Sequence, residues 1–310
     1  MKSNLVFLVC MTTVHISFGQ TTPPEYDELV RKADSLYKTK DYEASAFAYS
    51  DAFKVYGWMG LIDDRYNAAC SWALAGFPDS AFFNLERIAN KGYLKDYDHV
   101  STDTDLNSLH SDKRWSPLLE KVKVNKEKAE VNLNKPLAQE LESIYNEDQK
   151  YRLMIDDSLK KYGNESKEMQ SLWQTIMEKD SINLIKVTTI LDKYGWLGSE
   201  VVGERGNSAL FLVIQHSDLK TQEKYLPMMK EAVKNGKASP SQLALLIDRV
   251  EMGNGRPQIY GSQITMKDGQ YVVYQIIDEP NVNKRRAEVG LEPLEQYVKL
   301  WNIDYKLPAK

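Results

Sequence analysis

Apolar positions along this chain recur mostly at helical spacing, with one interval near residue 260 where they alternate instead. From residue 25 to about 130 the pattern is helical and repetitive. Ala33, Tyr42, Ser45, Tyr49 and Ala52 place small and aromatic side chains where two helices would approach closely, with Lys40-Asp41-Tyr42 as the turn between them. Ala69, Ala81, Leu85 and Ile88 repeat the arrangement, and Ala33 and Ala69 are 36 apart (69 − 33). A third, less regular unit runs through Asp105-Leu106-Asn107-Ser108-Leu109 and Trp115-Ser116-Pro117-Leu118-Leu119, and reads as an end cap. The charged, Asn-rich stretch 123–135, with Pro136 after it, predicts a helix tail followed by a linker.

The helical pattern resumes at Leu137. Leu141, Ile144, Tyr145, Leu153 and Ile155 predict an amphipathic helix ending near Gly163, with Asp148 and Arg152 four residues apart, an ion-pair spacing. Leu172, Ile176, Ile182, Ile185 and Ile190 predict a second helix that stops at Tyr194-Gly195. Residues 208–215 are apolar almost all round, which predicts a buried helix with Asn207 as its N-cap. A further helix spans 219–234 with a kink at Pro227, and Ser239-Pro240-Ser241-Gln242 announces another, lined by Leu243, Leu246, Ile247 and Val250. After Gly253-Asn254-Gly255 the period changes. Residues 259–266 and 271–277 read as strands of a hairpin, joined at Lys267-Asp268-Gly269-Gln270. A last helix covers 283–301, broken at 290–293. The expected architecture is mainly α: a helical-repeat domain over 20–130 and an α-rich domain over 131–310 with one β-hairpin near 258–277.

Composition adds compartment and excludes partners. The chain has 310 residues, 42% hydrophobic and 27% charged, enough for two domains with ordinary cores. Its formal net charge of −4 and the lack of a basic stripe argue against nucleic acid as a partner. Lys284-Arg285-Arg286 reads as a solvated helix face. Residues 1–19 read as a secretory signal peptide: Lys2, a short apolar run from Leu5 to Val14, then Ser17 and Gly19 before a cut at Gln20. That run is too short to span a bilayer and no later segment is long and apolar enough, so the expected protein is exported, periplasmic or secreted, and not transmembrane. Cleavage leaves Cys70 without a partner for a disulfide; among Ala68, Ala69 and Trp72 it reads as a small buried residue.

Two resemblances follow from these residues. The 25–130 pattern resembles degenerate tetratricopeptide repeats over about a third of the chain, which implies a protein or peptide partner. The second is carried by Tyr194 to Gly198, Val202-Gly203, Gln215-His216-Ser217-Asp218, Leu243-Ala244 with Asp248-Arg249, and Gly255-Arg256-Pro257-Gln258-Ile259-Tyr260-Gly261-Ser262-Gln263. With Asp148-Gln149, Arg152, Arg286 and Gly290-Leu291, these resemble a bacterial family catalogued only as a domain of unknown function. The resemblance covers roughly residues 137–300 and implies no activity.

Candidate chemistry concentrates in this second half. His216, beside Gln215 at the end of a buried segment, has the right type of side chain for a general acid or base; equally, its ring could close a helix end on a carbonyl. Asp218 reads as the N-cap of the next helix. Arg249, with Asp148, Asp180 or Glu204 as partner, is either an internal ion pair or a clamp for an anionic ligand. Gln258, Tyr260 and Gln263 sit near the first strand, where Gln258, Tyr260 and Ser262 would share one face by its two-residue period. Such a row suits a polar ligand such as a sugar or peptide, and an ordinary solvent-facing strand equally well. No phosphate loop, nucleophile elbow or His-Glu-x-x-His occurs, His-x-Asp alone supplies too few ligands for a metal, and no cofactor is expected. The leading expectation is an exported, non-enzymatic protein that binds a partner through its repeat and a polar or anionic small ligand through its C-terminal domain. The alternative is a cell-envelope hydrolase with His216 as acid or base.

Overall fold

The computed structural model describes residues 22–267 and 269–308. The signal-peptide reading and the Asp268 position of the hairpin turn lie outside the described residues. The chain forms two compact units, Thr21–Asn132 and Leu133–Lys310.

The first unit is a succession of helix pairs. α1 (Pro24–Lys38) packs on α2 (Tyr42–Val55), and α3 (Ile62–Leu74) on α4 (Pro78–Asn90). α5 (Tyr97–Thr102), a 3₁₀ turn (Thr104–Leu109) and α6 (Trp115–Glu130) close the unit. Proline begins α1 and α4, where its missing N–H costs the helix nothing. Asp41 caps α2 by accepting from the Ala44 N–H at 3.3 Å. Small residues set the approach of the helices: Ala33 is fully buried, and buried Ser45 donates to the Ala33 carbonyl at 2.9 Å. Two core clusters result, one around Tyr26, Tyr49 and Phe53, the other around Phe82, Leu85, Leu106 and Trp115. Tyrosine hydroxyls donate to aspartates around both: Tyr26 to Asp64, Tyr49 to Asp34, Tyr37 to Asp105 and Tyr66 to Asp103. Cys70 is a free, buried thiol, and burial pushes its pKa up, away from thiolate reactivity.

The second unit packs α7 (Lys135–Arg152), α9 (Lys167–Tyr194), α10 (Ser199–Gln215), α11 (Leu219–Lys234) and α12 (Pro240–Gly253) around one core. The short α8 (Ile155–Tyr162) rests on α9. α7 and α10 lie so close that a Cβ on Gly206 would stand 3.3 Å from the Cβ of Leu141. A two-stranded antiparallel sheet follows, β1 (Ile264–Lys267) against β2 (Gln270–Val273), with Ile264 opposite Val273. α13 (Val282–Glu288), α14 (Leu294–Tyr297) and a 3₁₀ turn (Val298–Trp301) bury Val282, Leu294, Tyr297 and Val298 against Ile264. No described helix is long and apolar enough to cross a membrane.

The mainly α class with a single hairpin is as the sequence pattern implies, but four local expectations differ. The helix expected to run to Gly163 breaks at Leu153-Met154, which turns Ile155 into a separate cluster with Met169 and Ile176. The apolar segment ending at Gln215 starts earlier, at Ser199, and is interrupted at Gly203, whose φ of 74° only glycine adopts easily. Asn207 therefore caps no helix; its amide donates to the carbonyls of Leu197 and Lys237, at 2.7 and 2.8 Å. The expected strand from residue 259 begins only at Ile264, because the preceding residues curl around a buried carboxylate.

Candidate functional site

Three helices of the second unit bring a polar cluster into its interior. α7 contributes Asp148 and Arg152, one turn apart; α9 contributes Asp180 and Asn183; α10 ends in Gln215 and His216. The three helices pack on one another pairwise. His216 Nδ1 lies 3.0 Å from Asp148 Oδ1. Arg152 donates to the same oxygen at 3.1 Å, to the Asp148 carbonyl at 2.9 Å, and to Asp180 Oδ2 at 2.7 Å. Gln149 donates to Asp148 Oδ2 at 2.8 Å. The Asp148 side chain is 1% exposed and the His216 side chain 8%. Burial disfavours the charged form of Asp148. The charge and hydrogen bond of His216, the charge of Arg152 and the Gln149 amide outweigh it, and together they hold the carboxyl below its ordinary value.

This arrangement leaves hydrogen-bonding capacity unused. Asn183 and Gln215 are almost fully buried, yet among the described residues both polar atoms of each side chain lack a partner, as does Asp180 Oδ1. An interior normally satisfies such groups, so five unsatisfied atoms on adjacent helices amount to a surplus of donors and acceptors. In the neutral imidazole with its proton on Nδ1 toward Asp148, Nε2 is left as an acceptor.

The Gly255–Gln263 segment does something different. Asp248 of α12 is completely buried and accepts from three backbone N–H groups: Ile259 at 2.7 Å, Tyr260 at 2.9 Å and Ser262 at 2.9 Å. Burial pushes its carboxyl up, against the downward pull of these donors. Gln258 spans the loop, accepting from the Gln263 N–H at 2.7 Å and donating to the carbonyls of Gln263 and Tyr274. Gly261 has φ 73°, and any Cβ there would meet Ile276 and Leu294 at 2.9 and 3.0 Å. Arg286 is buried beneath the loop and donates to the Tyr260 and Glu292 carbonyls, while Arg285 donates to those of Ile259 and Ile277. The Lys284-Arg285-Arg286 run is thus not a solvated face; two of its three side chains tie the loop to α13.

The residues singled out from the sequence therefore fall into two groups. His216 and Gln215 join the α7–α9–α10 cluster. Gln258, Tyr260 and Gln263 belong to the loop around Asp248, where both glutamine side chains are buried and donate hydrogen bonds, although Gln263 Oε1 has no partner among the described residues. The Tyr260 side chain is half-buried, and its hydroxyl makes no hydrogen bond among the described residues. Arg152 holds both Asp148 and Asp180, while Arg249 is partly buried on α12. Its helix nonetheless ends beside the α10–α11 turn, where Gly253 abuts Leu219. Asp218 caps α11 through the Thr221 N–H at 2.9 Å. Asn183 was not legible as a site residue; the available signal was its place in the buried series Ile176, Asn183, Ile190, a polar residue at an apolar register. No group of three or more potential metal ligands occurs among the described residues.

Residues 134–310 match the model of a family of unknown function, DUF6624. No curated protein and no solved structure matches the chain.

Proposed function

The chain belongs to this family of unknown function, and from that premise we propose that it is an exported binding protein whose C-terminal domain takes up a small polar ligand. The observation that carries this reading is the surplus of unsatisfied amide and carboxylate atoms on Asp180, Asn183 and Gln215, beside the Asp148–His216–Arg152 pairing. A ligand offering both donors and acceptors would satisfy them at less cost than an interior left unpaired. Gln258, Tyr260 and Gln263 lie in the loop around Asp248 and Arg249 lies on α12, so the reading does not draw on them. The helical pairs of the first unit would meet a protein or peptide.

The test is a thermal-shift screen of the full chain against amino acids, short peptides and envelope saccharides, run in parallel on Gln215→Leu. At least one compound should raise the wild-type Tm and leave the variant unmoved. A screen in which nothing shifts, or in which both proteins shift equally, removes the reading. Secretion of a reporter fused behind residues 1–25 tests the export part.

A second reading, a cell-envelope hydrolase, is favoured by one observation, the Asp148–His216 contact. Asp148 would orient the imidazole, and Nε2 would take a proton from water as it attacks. His216→Gln should then stay folded and lose hydrolysis of labelled envelope material; an unfolded variant would instead mark the imidazole as structural.

A further inference from the structure

Away from that cluster, the first unit holds two arginines in an arrangement that its fold alone does not require. Arg65, on α3, is 2% exposed. Its guanidinium lies over the Phe53 ring at 3.8 Å, donates to Asn84 Oδ1 at 2.8 Å and to the Trp58 carbonyl at 2.6 Å. Arg87, on α4, donates to the same carbonyl at 2.9 Å. Two cations thus share one neutral oxygen, and neither pairs with a carboxylate among the described residues. Burial, with Arg87 beside it, pushes the Arg65 guanidinium down to about 10. Its Nε is buried with no hydrogen-bond partner among the described residues. Gly60 makes room for it, since a Cβ there would strike the Phe53 ring at 2.6 Å and Arg65 Nε at 2.9 Å.

The surface next to this pair is apolar. Trp58 is held with φ 60°, a left-handed backbone that large residues avoid, and the residue is 58% exposed. Met59 and Ile62 are exposed beside it in sequence. Strained backbone that presents an aromatic ring to solvent is a feature of binding sites more than of packing.

We infer that the turn between α2 and α3 is a binding site for a carboxylate carried on an apolar body, of the kind found at the end of a peptide with an apolar last residue. The carboxylate would accept from the outward N–H groups of Arg87 and supply the counter-charge that both guanidiniums lack. The apolar body would lie on Trp58, Met59 and Ile62. This site is separate from the polar cluster of the C-terminal domain and stands whether or not that domain binds a ligand.

The probe is N-acetyl-L-leucine, titrated by NMR into the full-length mature protein at low salt, with N-acetyl-L-leucinamide and inorganic phosphate as controls. Arg87→Gln is the principal variant, because Arg87 makes a single hydrogen bond and is partly exposed; Trp58→Gly is the second, since glycine accepts the left-handed backbone. The acid should bind, the amide should bind at least tenfold more weakly, and each variant should weaken the acid at least tenfold while its melting curve stays near that of the wild type. Equal binding of acid and amide, full binding in Arg87→Gln, or binding of phosphate with none of N-acetyl-L-leucine overturns the inference.

Discussion

His216 Nδ1 stands 3.0 Å from Asp148 Oδ1, which ties the residue that follows α10 to the C-terminal part of α7, 68 positions earlier in the chain. Arg152 reaches the same oxygen and then Asp180, so one buried carboxylate organises three helices. Asp148→Asn would leave Arg152 with half its counter-charge in the interior. Loss of one partner from a buried ion pair costs on the order of 3 kcal/mol. Urea unfolding of the full chain should show the midpoint of the C-terminal unit falling accordingly, and a loss below about 1 kcal/mol would mean that the pairing contributes little.

The same contact sets a pH dependence. The folded-state pKa of Asp148 lies below its unfolded value, so its contribution is present above the unfolded carboxyl value of about 4 and is lost as pH falls through the folded value. Asp248 has the opposite sign: its folded pKa is raised, so the stability linked to it is greatest at low pH and declines as pH rises through the folded value. A series of melts between about pH 3 and 7 on wild type and Asp148→Asn should therefore converge at the acid end. Curves that stay parallel throughout would contradict the assignment.

Gln215→Leu should leave stability unchanged or raise it by up to about 1 kcal/mol, because an apolar side chain of similar size replaces two polar atoms that have no partners. Clear destabilisation in a chemical melt would show that the amide is satisfied in solution.

Asn207→Ala should cost about 2 kcal/mol, since the amide joins the Leu197 and Lys237 carbonyls and its removal leaves both without that donor. Hydrogen exchange should rise around residues 197 and 237 together. Exchange confined to one of them would break the bridge argument.

Gly261→Ala should cost about 2 kcal/mol, through its φ of 73° and the contact with Ile276 and Leu294. Near-ultraviolet circular dichroism should report the loss through Tyr260 and Tyr297, which bracket the loop. An unchanged spectrum and midpoint would show that the loop tolerates a Cβ.

The sequence by itself determined what is periodic or local. Alternation of apolar with polar residues at 3.6 spacing marked α9 to its last residue, and Ser239-Pro240 and Asp218 announced their helix starts, because caps and amphipathic faces depend only on neighbours in the chain. Small residues at 33, 45 and 69 marked the close helix pairs for the same reason. Tertiary structure alone decided where the polar residues went. Gln258, Tyr260 and Ser262 read as a row on one face of a strand, with Gln263 beside it. They instead close a loop, because Asp248, at least ten residues upstream, gathers the backbone N–H groups that a strand would have used. His216 met Asp148 rather than the nearby Asp218, and Asn183 sank into the core at an apolar register. Burial turns such groups from solvated ornaments into charges and dipoles that must find partners. Which partner lies within 3 Å is set by how the helices cross, and no spacing along the chain records that.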